Sequence, residues 1–185
     1  DYWDNCLKPS IMAETPADIL VYGMGERTIV DIARLIERKA PKEEIYRLPQ
    51  IGYLTNNVPR TDDQETIYLQ PHEKCLSDKK TQALNFHTIE IESNKIEACR
   101  LVQPIGKKYI VVNPPHSPFT QEELDSYYEL PYMRVPHPKY IKRGAIPAYE
   151  MIKFSVNIHR GCFGGCSFCT ISAHQGKQIV SRSEK

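Results

Sequence analysis

A strand-turn-helix pattern begins with the stretch Asp18-Ile19-Leu20-Val21-Tyr22-Gly23-Met24-Gly25-Glu26. Its apolar first half predicts a short buried strand, and its two glycines predict the turn that ends the strand. The following residues, up to position 38, repeat with the period of a helix. The apolar face of that helix consists of Ile29, Ile32, Ala33 and Ile36. A strand followed by a turn and a helix is the repeating step of a parallel sheet, so the sequence predicts an α/β fold with a partial Rossmann-like sheet.

Further helices and strands are predicted from hydrophobic periodicity and from the residues that mark turns. They are strands at 51–54 and 67–69, one long or broken helix within 72–97, and a hairpin of two strands at 98–103 and 108–112. Thr120 has Glu123 three residues after it, which is the pattern of a capping box and predicts a short helix from Gln121.

Proline content and a change of pattern divide the chain into three parts. Half of the 14 prolines fall within residues 113–150, which we interpret as an extended linker that packs its tyrosines. The preceding residues, 1–112, form the partial Rossmann-like domain. Residues 151–185 are predicted to begin a new domain, because 153–158 alternate as a strand that runs directly into a group of cysteines.

The overall composition excludes some classes of partner. Lysine and arginine total 24 against 23 acidic residues, so there is no clear nucleic-acid signal. No apolar run approaches the roughly 20 residues that cross a bilayer, and no secretion signal is visible. We therefore expect a cytoplasmic protein with no membrane partner. Because the chain begins with Asp1 and ends on an uncompleted strand and helix start, we also expect an internal fragment of a longer polypeptide.

Three of the six cysteines share one short loop, and these are Cys162, Cys166 and Cys169. Their spacing allows the three thiolates to converge on a single metal centre, and the glycines among them supply the backbone freedom that such a loop needs. The remaining cysteines are scattered, and free cysteine usually behaves as a small apolar residue. Ordinary thiols are therefore expected at Cys6, Cys75 and Cys99.

The number of thiolates separates two kinds of metal site. Structural zinc takes four ligands, commonly as two CxxC pairs, and the sequence lacks a second pair. A four-iron cluster held by three cysteines instead leaves one iron open to a small molecule. The pattern favours a [4Fe–4S] cluster, with a zinc-binding structural or interaction module as the alternative. His159 and His174 flank the cysteines, but a fourth protein ligand would close the open site, so we expect neither to bind the metal.

The pattern CxxxCxΦC, in which Phe168 is the aromatic residue Φ, resembles the signature of the radical S-adenosylmethionine (SAM) superfamily. A wider set of motifs is similar to those of the YgiQ-type radical SAM proteins and spans nearly the whole chain. These motifs are Leu20-Val21-Tyr22-Gly23-Met24-Gly25-Glu26-Arg27, Val112-Asn113-Pro114-Pro115, Leu130-Pro131-Tyr132, Pro136-His137-Pro138, Arg160-Gly161-Cys162-Phe163-Gly164-Gly165-Cys166-Ser167-Phe168-Cys169, His174-Gln175-Gly176 and Ser181-Arg182-Ser183-Glu184.

This resemblance implies that Cys162, Cys166 and Cys169 ligate the cluster and that the open iron binds the amino and carboxylate groups of SAM. It also implies reductive cleavage of SAM to methionine and a 5′-deoxyadenosyl radical, with an electron donor such as a flavodoxin or ferredoxin. Phe168 would lie beside the adenine of SAM. Residues 151–185 would supply the first strand and cluster loop of a (β/α) barrel. One strand cannot enclose a radical, so we expect this chain alone to be inactive.

The sequence leaves the substrate, the reaction outcome and the oligomeric state open. Cobalamin binding is also open, because Gly23-Met24-Gly25-Glu26 is similar to a stretch in radical SAM proteins that carry a cobalamin domain. A structural strand-to-helix turn is the favoured interpretation, since Glu26 places a negative charge where a phosphate would bind.

Overall fold

The computed structural model describes residues 4–60, 65–166 and 168–184. The strands of these ranges are β1 (Leu20–Val21), β2 (Ile51–Thr55), β3 (Thr66–Tyr68), β4 (Arg100–Ile105), β5 (Lys108–Val112), β6 (His159–Arg160) and β7 (Val180–Ser181). The α-helices are α1 (Ile11–Glu14), α2 (Glu26–Glu37), α3 (Lys42–Ile45), α4 (His72–Ser77), α5 (Lys79–Ser93), α6 (Gln121–Tyr128), α7 (Pro147–Ile152) and α8 (Ile171–Gln175). Within the described ranges, every helix is too short or too polar to cross a bilayer.

Five strands form a mixed sheet in the order β1-β2-β5-β4-β3, so the α/β class is confirmed. Only β3 and β4 run parallel, joined through α4 and α5 as one crossover unit. The expectation of a parallel sheet is wrong for the pairs β1–β2 and β2–β5, which are antiparallel. After α2 and α3 the chain returns as β2, antiparallel to β1. A tight turn at Gly106, where φ is +55°, makes β4 and β5 antiparallel neighbours, as the predicted hairpin requires.

The main core lies between α2 and the sheet, where Ile32 and Leu35 pack with buried sheet residues such as Ile51 and Val111. The predicted face of α2 is only partly correct, because Ile29 and Ile36 are exposed. The helix is rotated so that the fully buried Thr28 faces inward, and its hydroxyl donates a hydrogen bond to the Pro49 carbonyl at 3.3 Å. A buried hydroxyl needs such a partner, and the rotation supplies it.

Most predicted local elements are confirmed. The strands at 51–54 and 67–69 and the hairpin appear as β2, β3, β4 and β5. The helix within 72–97 is broken at Asp78, whose carboxylate accepts hydrogen bonds from the Lys80 and Thr81 amides and caps α5. The capping box is also present, since Thr120 and Glu123 each bond the other's backbone N–H at the start of α6.

The segment between α6 and β6 differs from the extended chain that was expected. It contains a 3₁₀ helix, Pro138–Arg143, and α7, which Pro147 starts at its first position. The strand predicted at 153–158 is wrong: α7 continues to Ile152, Phe154 is 89% exposed, and the strand is confined to His159–Arg160. Alternation alone could not supply a pairing partner for these residues. The described part of the chain contains no barrel, and its residues after 150 contribute strands only to the two-stranded sheet β6-β7.

Candidate metal centre

A closed hairpin presents the cysteine loop. β6 and β7 pair antiparallel, with Arg160 opposite Val180. The Arg182 amide donates to the Ile158 carbonyl at 2.9 Å, and the Cys162 amide donates to the Gly176 carbonyl at 3.0 Å. Residues 161–179 are therefore held at both ends, although the strands themselves are only two residues long.

Gly161 allows the two arms of the hairpin to approach. Its φ is +94°, and a Cβ built on it would lie 2.0 Å from the Gln178 carbonyl oxygen. Every L-residue with a side chain would meet both the backbone strain and this collision. The glycine directly before the first cysteine is thus required by the close approach of the backbone.

The three cysteines lie on the loop at different depths, with Cys162 and Cys169 half-buried and Cys166 exposed. The Gly164 amide donates a hydrogen bond to Sγ of Cys162 at 3.4 Å, and the Cys169 amide donates to the Cys166 carbonyl at 3.1 Å. A Cβ on Gly164 would lie 3.3 Å from Sγ of Cys162 and 3.6 Å from Sγ of Cys166. A glycine therefore keeps the space between two of the sulfurs clear of side chain.

Thiolates are the ligands that iron–sulfur clusters use, so this donor set fits such a cluster in kind and number. Across residues 4–60, 65–166 and 168–184, no three Cys, His, Asp or Glu side chains are already gathered closely enough to hold a metal ion. His159 and His174 are exposed, and Nδ1 of His174 lies 3.5 Å from Nε2 of the neighbouring Gln175. The loop thus supplies three thiols that are at least partly exposed.

A cavity of about 530 Å³ lies between the cysteine loop and the sheet domain. Cys166 and Cys169 line it on one side, and apolar side chains of α5 such as Phe86 and Ile89 line it on the other. Its volume is in the range of small-molecule sites. Phe168 is 89% exposed and does not line this cavity.

Comparison with known proteins assigns the chain to a family. The matching family model is described as Radical SAM N-terminal and covers residues 1–155. The chain belongs to the radical SAM N-terminal family. The expected resemblance to the YgiQ-type radical SAM proteins is confirmed.

Three similar proteins are each named UPF0313 protein. Those of Bacteroides thetaiotaomicron, Porphyromonas gingivalis and Methanocella arvoryzae are 53%, 51% and 44% identical to this chain. Each match covers 100% of this chain and 32%, 29% and 30% of the respective relative. The chain therefore spans about a third of the length of the curated relatives it matches. No solved structure matches it.

In this member of the radical SAM N-terminal family, charged contacts that sequence reasoning missed fix the hairpin to the sheet domain. Arg160, directly before Gly161, forms an ion pair with Glu26 at the start of α2 and donates from Nε to Gln175 at 3.0 Å. Lys177 pairs with Glu90 of α5 at 2.7 Å. The two residues of each ion pair are more than eighty positions apart, so no local sequence signal connects them.

The same ion pair bears on the glycine turn before α2. Glu26 faces Arg160 there, and a Cβ on Gly25 would lie 2.6 Å from a methyl carbon of Val21. Gly25 therefore serves close packing, and the carboxylate at the helix start is already matched by an arginine. Both features favour the structural turn over a phosphate or cobalamin site.

A second anchor holds the far end of the hairpin. The Ser183 amide donates to the Asp125 carboxylate at 3.1 Å, and Val180 packs with the buried Phe119 and Leu124. The hydrogen bonds from Ser183, supported by the nearby Arg182 guanidinium, lower the pKa of Asp125. The hairpin is thus secured by both a carboxylate and an apolar cluster.

The other cysteines lie outside the loop. Cys75 is buried on α4, Cys99 is half-buried, and Cys6 is exposed. Burial raises the pKa of the Cys75 and Cys99 thiols. Cys99 lines the cavity beside the cysteine loop.

Proposed function

We propose that this chain forms part of a radical SAM enzyme, in which Cys162, Cys166 and Cys169 ligate a [4Fe–4S] cluster and the fourth iron binds SAM. The observation that carries the proposal is the closed hairpin, which offers three thiols on one glycine-rich loop beside a cavity. Membership of the radical SAM N-terminal family supports the same assignment.

Held by these residues, the cluster and SAM would supply the reaction's chemistry, in which one electron from a reduced partner such as a flavodoxin or ferredoxin would cleave SAM to methionine and a 5′-deoxyadenosyl radical. The chain's own residues provide the setting. Three thiolates hold the iron and leave one coordination position free. The exposed ring of Phe168 is available to lie against the adenine of SAM. Phe86 and Ile89 add apolar side chains to the cavity that Cys166 and Cys169 also line.

We divide the chain, within this proposal, into a partial α/β domain at 1–112, a linker at 113–150 and the beginning of the radical SAM domain at 151–185. The ion pairs from Arg160 to Glu26 and from Lys177 to Glu90 cross these divisions. The first domain therefore acts as a support for the cysteine loop.

Anaerobic reconstitution with iron and sulfide tests the proposal. We expect a brown protein with about four irons per chain, because three thiolates hold a complete cubane. The variants Cys162→Ala, Cys166→Ala and Cys169→Ala should each lose most of this iron. The matched variants Cys6→Ala and Cys99→Ala should retain it. A colourless protein that holds one zinc ion tightly would instead support the zinc module and overturn the proposal.

A further inference from the structure

A second cavity, of about 430 Å³, is lined by residues at the end of α6 and at the two strands of the hairpin. It shares no lining residue with the cavity beside the cysteines. Three arginines and three tyrosines dominate its lining: Arg134, Arg160, Arg182, Tyr127, Tyr128 and Tyr132. Among the described residues Glu26 is the only carboxylate in the lining, and Asp125 lies behind Arg182 at 3.9 Å, so three arginines face two carboxylates and one positive charge is in excess.

The arginine side chains are held in place by neighbouring groups. The Arg182 guanidinium lies 4.4 Å from the centre of the Tyr128 ring. Arg134 has a left-handed backbone, with φ of +55°, and its Nη2 donates to the Tyr128 carbonyl at 3.0 Å. Such a backbone conformation is strained in a residue with a side chain and is found preferentially at functional sites.

Several guanidinium donors are left without a hydrogen bond. Nε of Arg182 is buried, and its nearest carboxylate oxygen, on Asp125, is 3.9 Å away. Arg160 uses Nε and Nη1 for Gln175 and Glu26, and neither its Nη2 nor that of Arg182 has a partner among the described residues. The two Nη2 groups are not among the buried atoms without a partner, so they are open to solvent and free to donate to an acceptor that enters the cavity.

The chemistry of the lining defines the ligand class. A guanidinium binds phosphate or carboxylate oxygens through two parallel hydrogen bonds, and tyrosine rings stack on planar groups. The excess of positive charge disfavours cations, and the volume suits a single small molecule. We propose that Arg134, Arg160 and Arg182 form a binding site for an anionic ligand with a phosphate next to a planar ring, of the class of a nucleoside monophosphate. This site is additional to the cluster site and does not depend on it.

The site also adjoins the cysteine loop. Arg160 is followed directly by Gly161 and Cys162, and its Nη1 already holds Glu26. A bound phosphate would share Arg160 with that carboxylate. Ligand binding is therefore expected to affect the position of the backbone that leads into the cysteine loop.

Calorimetric titration of the intact, metal-free protein with AMP tests this site. We expect binding with a Kd below about 1 mM at low ionic strength, and at least about tenfold weaker binding of adenosine, which lacks the phosphate. Arg134→Met and Arg182→Met should each weaken AMP binding about tenfold or more. Arg143→Met, which removes an exposed arginine outside the cavity, is the matched control and should bind AMP as the unchanged protein does.

Further arms of the titration distinguish the possible results. Arg182→Lys keeps the charge and the fold but loses the planar fork, so it should bind AMP more weakly than the unchanged protein. Phe168→Ala should leave AMP binding unchanged, which separates this site from the one proposed for SAM. Tighter binding of a four-nucleotide adenylate strand than of AMP would support the site and assign its phosphate to a nucleic-acid chain. No AMP binding, or equal losses in the Arg143→Met control, would overturn the proposal and leave the cluster assignment intact.

Discussion

Replacing Gly161 by alanine should open the hairpin that carries the cysteines. The added Cβ would lie 2.0 Å from the Gln178 carbonyl oxygen, whereas real Cβ atoms essentially never come within 3.0 Å of such an atom. The two arms must therefore separate by about 1 Å. That movement would stretch the Cys162–Gly176 hydrogen bond, which is 3.0 Å long, beyond useful range.

The cost follows from these changes. Loss of the Cys162 hydrogen bond and of the neighbouring one between Arg182 and Ile158 removes about 1 kcal/mol each. The φ of +94° at Gly161 adds about 1–2 kcal/mol for a residue with a Cβ. A total of about 3–4 kcal/mol corresponds to a loss of hydrogen-exchange protection of about 100-fold or more.

Two measurements check this result: amide hydrogen exchange of the folded protein, read out on the proteolytic peptide that covers residues 158–182, and iron content after reconstitution. Gly165→Ala is the matched control, since φ is +58° there and a Cβ meets no atom within 4 Å. It should incur only the backbone strain, about 1–2 kcal/mol. Equal protection and equal iron content in the two variants would refute the argument that close approach of the backbone shapes the loop.

Three further changes probe the contacts around the loop. Glu26→Gln leaves the Arg160 charge without its carboxylate. Because both side chains are partly exposed, we expect the hairpin to lose about 1–2 kcal/mol of stability, seen as faster amide hydrogen exchange in residues 158–182. Unchanged exchange would contradict the role of this ion pair in fixing the hairpin. Thr120→Ala removes the capping box of α6 and should lower the free energy of unfolding by about 1 kcal/mol in urea titration; no change would mean that the box adds nothing. The pKa of Asp125 in the folded protein lies below its ordinary value of 3.8, so its contribution to stability is complete above that value and disappears as the pH falls through the lowered pKa. Asp125→Asn should therefore make the free energy of unfolding depend less on pH on the acid side. An identical pH dependence in the variant would exclude this linkage.

Local features of the fold could be predicted because their causes are local. The capping box depends on Thr120 and Glu123 alone, and the hairpin between β4 and β5 depends on a glycine turn between two apolar runs. The break in the long helix occurs at Asp78, whose short carboxylate caps the second half better than it continues the first. In each case the deciding contact spans only a few residues.

The direction of strand pairing and the strand at 153–158 were not predictable in the same way. Strand direction depends on how α2 and α3 return the chain to β2, and no periodicity encodes that path. Alternating residues near Phe154 satisfy a strand pattern, yet no neighbouring strand pairs with them in the described structure. A hydrophobic pattern indicates which face of a helix or strand is buried, but not which other element pairs with it.

The candidate site also has a part that the sequence predicts and a part that depends on long-range contacts. The spacing of Cys162, Cys166 and Cys169 indicates a shared metal centre without knowledge of the fold. The contacts that hold their loop, from Arg160 to Glu26 and from Ser183 to Asp125, join residues that are far apart in the chain. They became visible only once the hairpin was placed against α2 and α6.

Electron paramagnetic resonance of the reduced, anaerobically reconstituted protein, recorded with and without SAM, tests the central claim most directly. A cluster held by only three thiolates keeps one iron free for SAM, so we predict a [4Fe–4S]⁺ signal whose g-values shift when SAM is added. A signal that SAM leaves unchanged would mean that the fourth position is already filled, and it would contradict the assignment of Cys162, Cys166 and Cys169 as a radical SAM site.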